Sequence, residues 1–283
     1  MNNALQDRLA LHTWTLDTTP LAEFLRVAQR TGWNAVELRH ADFVRASAAG
    51  TTRQQAIDLV LASGVRVAVL GTEYGWMFAN GSEQRRLFAG LARTCETANV
   101  LGCGMIMSAT GQTSGSKKHA AAALREAGRI VEAHGVRLAW EYSSQHETVN
   151  TLDIAREILE LADHPRCGLL LDAYHLERSG SGGRGFEDVP AHDIFAFQYS
   201  DVPAAPAQGG LRPTDRLLPG RGTVRWREVL GLLLEKDYAG YLSYEAPNPV
   251  TWSSEPEEVA REAALATRSL LAEISQEWTR PRH

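Results

Sequence analysis

The chain has 283 residues, of which 44% are hydrophobic and 22% charged, a composition typical of a globular protein with a sizeable core. This composition excludes a disordered or collagen-like chain. The formal net charge of -5 provides no overall attraction for nucleic acid or for an anionic membrane, so we expect neither as a partner.

The N-terminal segment and the cysteines indicate the compartment. The segment lacks a basic stretch followed by an apolar one, and the three cysteines show no CxxC spacing. We therefore expect a cytoplasmic protein that has neither a disulfide framework nor a thiolate metal site.

The predicted elements alternate between helices and short apolar strands along the chain. The first apolar run extends from Leu9 to Leu16, and another extends from Ile194 to Gln198. Six further runs each begin at a glycine that follows a helical stretch, and we interpret these glycines as helix stops. They are Gly32, Gly64, Gly102, Gly135, Gly168 and Gly240. The pattern therefore predicts eight strands.

The segments between these runs place apolar residues three and four positions apart, as amphipathic helices do. Examples lie at Leu21 to Ala28 and Leu87 to Ala98, and Glu255 to Trp278 is predicted to be the closing helix. The strands are almost continuously apolar, which is typical of a parallel sheet buried on both faces. A doubly wound sheet is the competing solution, but neither GxGxxG nor GxxxxGK[ST] is present. We predict one (β/α)8 TIM barrel domain spanning residues 1–283.

Polar residues stand at the predicted C-terminal ends of six strands, the end that forms the catalytic face of such barrels. They are His12, Glu37, Glu141, Asp172, Gln198 and Glu245. The last four end neighbouring strands, and three carboxylates so close together require a cation. These four oxygen donors predict one divalent metal ion, with Mn²⁺ or Mg²⁺ ahead of Co²⁺ or Zn²⁺.

Other residues near these ends are candidates for substrate contacts. His175 follows Asp172 by three residues and can serve as a substrate donor or acid/base. Arg216 either binds a substrate oxyanion or is a solvated charge in a loop. His12, Glu37 and Trp14 are weaker candidates, because Glu37 can instead pair with Arg39 or another barrel-end arginine and loop aromatics often serve only in packing. The loops Ser179–Gly185 and Pro203–Pro219 are predicted to lie on the active face.

These motifs resemble those of the xylose isomerase-like TIM barrels, also called the sugar phosphate isomerase/epimerase family. The resemblance rests on WEY at Glu141, LLLDAYH at Asp172, FQYSDVP at Gln198, RLLPGRG at Arg216 and GYLSYEAP at Glu245. Many members have histidine where this chain has Gln198, and the glutamine is similar to that of hydroxypyruvate isomerase-like members.

The resemblance implies a metal-dependent isomerase or epimerase that acts on a small ketose, keto-sugar or keto-acid. Glu141 and Glu245 would transfer a proton through a metal-stabilised cis-enediolate, while Asp172 and Gln198 hold the metal. A lyase or dehydratase is the alternative, since the same intermediate can eliminate a leaving group. A sugar-binding barrel without chemistry is a third hypothesis. The outer helices are also compatible with a homo-oligomer.

Overall fold

The computed structural model describes residues 5–205 and 213–278, with side chains up to residue 275. Eight parallel strands pair in chain order, and β8 pairs with β1 to close the barrel. The predicted (β/α)8 TIM barrel is therefore confirmed. The strands are β1 (Leu9–His12), β2 (Ala35–Leu38), β3 (Val67–Gly71), β4 (Met105–Ala109), β5 (Arg137–Glu141), β6 (Cys167–Asp172), β7 (Ile194–Tyr199) and β8 (Leu242–Tyr244).

Helices surround the strands and bury their apolar faces against them. In the described ranges they are α1 (Leu21–Arg30), α2 (His40–Ala48), α3 (Arg53–Ser63), α4 (Gly81–Val100), α5 (Lys117–Ala133), α6 (Leu152–Ala162), α7 (Ala173–Arg178), α8 (Trp226–Glu235) and α9 (Pro256–Trp278). The last confirms the predicted closing helix. Within the described residues, no helix combines the length and apolar character that a bilayer crossing requires.

The predicted helix stops are correct at four of the six glycines. Positive φ angles of 76°, 68°, 66° and 72° occur at Gly32, Gly64, Gly102 and Gly135. Gly168 instead lies inside β6, where a Cβ would come within 2.3 Å of the Phe195 ring. Asp163, with φ of 47°, ends α6 in its place, and Asp237, with φ of 51°, takes the left-handed position that Gly240 was predicted to occupy. Aspartate tolerates this conformation because its short side chain bonds locally.

The first strand is shorter than predicted. It ends at His12, and residues 13–16 form a 3-10 helix. The cause is local, because His12 Nδ1 accepts the backbone N–H of Trp14 at 3.0 Å and so caps this helix. The strand therefore ends at His12, and the His12 side chain lies at the C-terminal end of β1.

Asp201 fixes the loop that follows β7. Of the predicted active-face loop Pro203–Pro219, residues 206–212 lie outside the described residues. The Asp201 carboxylate accepts four hydrogen bonds of 2.8–3.0 Å from the chain beyond that loop and from its own neighbour. The donors are the backbone N–H groups of Val202, Gly220 and Val224 and Nε1–H of Trp226. Asp201 therefore anchors the segment that carries Arg216.

Replacing Asp201 with asparagine is expected to destabilise the protein by about 2–3 kcal/mol, because an amide cannot accept all four N–H groups, three of which belong to buried residues. Scanning calorimetry should show a melting temperature lower by roughly 5 °C. The matched control is Asp58→Asn on the exposed surface of α3. Equal melting temperatures for the two variants would contradict the anchoring role.

Candidate active site

The structure brings the six predicted strand-end residues to the C-terminal end of the barrel. All are buried, with exposed fractions of 8% or less. His12 is in register with Glu37 on the neighbouring strand, and Asp172 is in register with Gln198. Glu245 directly follows β8. The loop and helix that begin after these strands add His175 and Arg216, which are also buried.

Arg216 lies among the carboxylates. Its Nη1 is 2.6 Å from Asp172 Oδ2 and 2.9 Å from Glu245 Oε2. The guanidinium packs 4.6 Å above the Tyr174 ring, and its exposed fraction is 2%. Of the two interpretations of Arg216, the solvated loop charge is therefore wrong. Glu37, Glu141, Asp172 and Glu245 form an acidic cluster at this end of the barrel. The guanidinium of Arg216 offsets part of its negative charge.

Two neutral histidines flank the cluster, one beside each predicted catalytic glutamate. His12 Nε2 lies 3.3 Å from Glu245 Oε1, and His175 Nε2 lies 3.7 Å from Glu141 Oε1. Each Nδ1 accepts a backbone N–H, from Trp14 at 3.0 Å and from Ser144 at 3.2 Å. The hydrogen of each neutral ring is therefore on Nε2, beside the glutamate.

Burial keeps both histidines neutral. It lowers the pKa of His12 well below its usual range, with further contributions from the charges of Arg39 and Arg216. It also lowers the pKa of His175 to about 4. Both rings are thus N–H donors without a charge at neutral pH.

The glutamates have raised pKa values. Burial, and then the charges of Glu245 and Asp172, raise the pKa of Glu141 well above its ordinary range. Burial, opposed by Arg216, raises the pKa of Glu245 to about 7, and burial raises the pKa of Glu37 to about 8. The raised pKa values reflect negative groups crowded together away from water, an electrostatic situation that a bound cation would relieve.

The donor set fits a divalent metal ion. Glu141, Asp172 and His175 offer ligand atoms within 4.8 Å of one another. Two buried oxygens near them, Glu141 Oε1 and Gln198 Oε1, have no hydrogen-bond partner among the described residues. Buried polar atoms without partners are rare, and a cation would satisfy both oxygens. His175 fits better as a donor than as a ligand, because its Nδ1 accepts the Ser144 N–H and its Nε2 therefore carries the hydrogen.

Other predicted residues have different partners from those considered. Arg39 does not pair with Glu37, since its Nη2 lies 2.7 Å from Asp17 and 3.1 Å from Asp42. Trp14 is half-buried beside His12, and its carbonyl accepts Nε1–H of Trp252. The hydrogen bond between Trp252 and Trp14 joins the loop after β8 to the loop after β1.

Tyr74 is a residue that the sequence analysis missed. It lies in the loop after β3, and its hydroxyl reaches into the barrel to within 3.7 Å of Met107 Sδ. Burial of the hydroxyl, and then the charges of Glu141 and Glu245, raise its pKa, although the residue as a whole is 41% exposed. The signal was an aromatic residue in the segment that follows an apolar run.

Comparison with known proteins identifies the family. Residues 25–270 match the family model described as xylose isomerase-like TIM barrel. The chain belongs to this family. The resemblance inferred from the strand-end motifs is thereby confirmed.

The relatives of this chain include named enzymes. An inosose isomerase from Halalkalibacterium halodurans is 25% identical over 263 residues, which cover 89% of this chain and 92% of the relative. A 3-dehydroshikimate dehydratase from Pseudomonas aeruginosa is 30% identical over 127 residues, 44% of this chain and 20% of the relative. These relatives identify the chain as an enzyme, so the hypothesis of a barrel without chemistry is not supported.

The fold also matches solved structures. A crystal structure described as IOLI protein with a binding zinc atom superposes with a TM-score of 0.82 at 22% identity. The superposition covers 94% of this chain and 99% of that one. At this level of identity the match establishes the shared fold.

Proposed function

We propose that the protein is a metal-dependent isomerase or epimerase that acts on a small keto-sugar or cyclic keto-polyol of the inosose type. One observation carries this proposal. Glu141 and Glu245 lie around one buried cluster, and each has a neutral histidine N–H beside it. Two equivalent acid/base pairs suit a reaction that removes a proton at one position and returns it at another. The inosose isomerase relative supports this substrate class.

Glu141, Asp172, Gln198 and Glu245 are the proposed ligands of one divalent cation. When bound, such an ion supplies Lewis acidity to the carbonyl and adjacent hydroxyl oxygens of the substrate. The oxygen-only ligand set favours Mn²⁺ or Mg²⁺, whereas zinc more often takes histidine or cysteine. The zinc atom of the IOLI protein structure supports a divalent ion in a barrel of this fold.

The proton transfer uses the glutamates in turn. One glutamate takes the proton from the carbon beside the carbonyl, the electrons of the broken C–H bond move to the carbonyl oxygen, and an enediolate forms. A glutamate then returns a proton either to the opposite face of the same carbon or to the former carbonyl carbon. In the second case the hydroxyl proton of the first carbon passes to the former carbonyl oxygen, and a new carbonyl group forms at the first carbon. In this reaction Arg216 and His175 would donate hydrogen bonds that orient the substrate oxygens.

A lyase is the second candidate, favoured by the 3-dehydroshikimate dehydratase relative. It would begin with the same proton removal, but the electrons would then expel the hydroxyl group of the β carbon, which takes a proton from a glutamate and leaves as water. No change in the cluster is needed for this outcome, since it depends on the leaving group of the substrate.

Proton NMR of an inosose incubated with the enzyme in D₂O separates the two reactions. An isomerase should replace the C–H signal beside the carbonyl with deuterium and form a product of unchanged composition. A lyase should form an enone with loss of water. An inosose, a linear ketose and hydroxypyruvate that all remain unchanged would contradict the proposal.

Tyr74 is expected to bind a substrate oxygen, because its hydroxyl contacts a thioether sulfur, a weak acceptor, at 3.7 Å and can turn to a stronger one. Replacing Tyr74 with phenylalanine should raise KM about 3- to 10-fold with little change in kcat, the effect of one lost hydrogen bond. Steady-state kinetics on the substrate found by NMR would measure this.

The matched control is Tyr238→Phe, which removes a hydroxyl that donates to the Tyr241 carbonyl before β8, away from the cluster. Its KM should equal that of the wild type. If both variants behaved alike, Tyr74 would have no role in substrate binding.

A further inference from the structure

We infer that Glu37 is a positioning residue that orients the Gln198 amide so that its oxygen faces the metal site. The inference rests on the proposed function, because it requires that Gln198 be a metal ligand. Glu37 itself would touch neither metal nor substrate. Its role differs from the substrate contact that the sequence analysis predicted for it.

The contact that carries the inference crosses the barrel interior. Gln198 Nε2 donates to Glu37 Oε1 at 2.9 Å, although β7 and β2 are not neighbours in the sheet and the residues are 161 positions apart. Both side chains are buried, with exposed fractions of 0% and 1%. Water therefore does not compete for this hydrogen bond, and the contact is a fixed feature of the closed barrel.

A glutamine ligand needs such a partner because its two ends differ. The amide oxygen can bind a cation, whereas the NH₂ group can only donate hydrogen bonds. With Nε2 held by Glu37, the other end of the amide is Gln198 Oε1, which is buried and has no hydrogen-bond partner among the described residues. Asp172, which is another proposed metal ligand, lies on β6 in register with Gln198 on β7.

His12 lies beside the same carboxyl group without a hydrogen bond to it. Its Nε2 is 3.7 Å from Glu37 Oε1 and 3.3 Å from Glu245 Oε1. The 2.9 Å hydrogen bond from Nε2 of Gln198 is therefore the contact of Glu37 that orients the amide.

Titration with Mn²⁺, followed by the electron paramagnetic resonance signal of the free ion, tests this role without any substrate. Glu37→Gln keeps the size of the side chain but can pair with either end of the Gln198 amide. Its Mn²⁺ affinity should fall about 10- to 100-fold, as is typical when the partner of a metal ligand is lost. The control, Glu73→Gln, removes a carboxylate that pairs with Arg86 outside the cluster and should bind Mn²⁺ like the wild type.

A double variant distinguishes orientation from a general structural effect. In Glu37→Gln/Gln198→Glu the two residue types are exchanged, and a carboxylate ligand has two equivalent oxygens that need no orienting. The amide introduced on β2 can still donate to this carboxylate. Mn²⁺ affinity in the double variant should therefore return to at least the wild-type level, and circular dichroism should show the same fold throughout.

The possible results distinguish a failure of the positioning role of Glu37 from a failure of the metal site. Wild-type affinity in Glu37→Gln, or a double variant as weak as the single one, would overturn the positioning role while leaving the metal site in place. A wild-type protein that does not bind Mn²⁺ would overturn the metal site itself and the inference with it. Weak binding in Glu37→Gln that the exchange restores is the result we expect.

Discussion

Replacing Glu245 with glutamine is expected to slow deuterium uptake into the substrate by about 10³-fold, since general acid/base groups contribute roughly 10²- to 10⁴-fold. Glu245 is held by Nε2 of His12 at 3.3 Å and by Nη1 of Arg216 at 2.9 Å. Glutamine has the same shape but cannot take up a proton. The rate of exchange should be measured by NMR in D₂O at saturating Mn²⁺, so that a weaker metal site does not determine the result.

The control for this prediction is again Glu73→Gln, which should exchange at the wild-type rate. The melting temperature of Glu245→Gln should stay close to that of the wild type, because the amide is uncharged where burial disfavours a charge. A Glu245→Gln enzyme that exchanges deuterium normally would exclude Glu245 from proton transfer.

Replacing Asp172 with asparagine is expected to lower Mn²⁺ affinity by at least about 10²-fold, because it removes one charged ligand. Asp172 is fully buried, and its Oδ2 lies 2.6 Å from Arg216 Nη1. Its Oδ1 accepts the backbone N–H of Tyr174 and caps α7, a bond that the asparagine oxygen can keep. The amide NH₂ would then point toward the guanidinium and the metal, where it can donate but not bind.

Elemental analysis after dialysis against Mn²⁺ would compare this variant with Asp163→Asn. The control makes the same substitution at the exposed end of α6, where asparagine tolerates the left-handed conformation. We expect near-stoichiometric metal in the control and the wild type and little in Asp172→Asn. Equal metal content in all three would mean that Asp172 is not a ligand.

The fold was accessible from the sequence because the apolar runs and helix spacings repeat regularly. In a parallel barrel the carboxyl ends of all strands share one face, so a polar residue that ends an apolar run must lie there. This reasoning correctly located Glu141, Asp172 and Glu245 at one buried end of the barrel. Their roles as ligands or bases stay predictions that the experiments above test.

Helix ends were less predictable because more than one residue type can adopt the left-handed conformation. Asp163 and Asp237 do so in place of the glycines that follow them in the sequence. Gly168 has a different role, since only a residue without a side chain fits beside the Phe195 ring. Sequence periodicity does not distinguish a glycine that ends a helix from one that permits close packing.

The partners of the site residues could not be predicted, because barrel closure decides them. Arg39, two positions from Glu37, was a reasonable partner for it, but Arg39 pairs with Asp17 and Asp42 instead. Glu37 meets Gln198 across the interior, a contact that no local pattern encodes. Tyr74 was missed for the same reason, since its reach toward Met107 depends on the path of its loop.

Deuterium uptake from D₂O by an inosose, measured on one preparation as purified, after removal of metal with EDTA and after reloading with Mn²⁺, tests the central claim most directly. We predict uptake that EDTA abolishes and Mn²⁺ restores, and that is slow in Glu245→Gln at every stage. Uptake that is unaffected by removal of the metal would contradict a metal-dependent enolisation at this site.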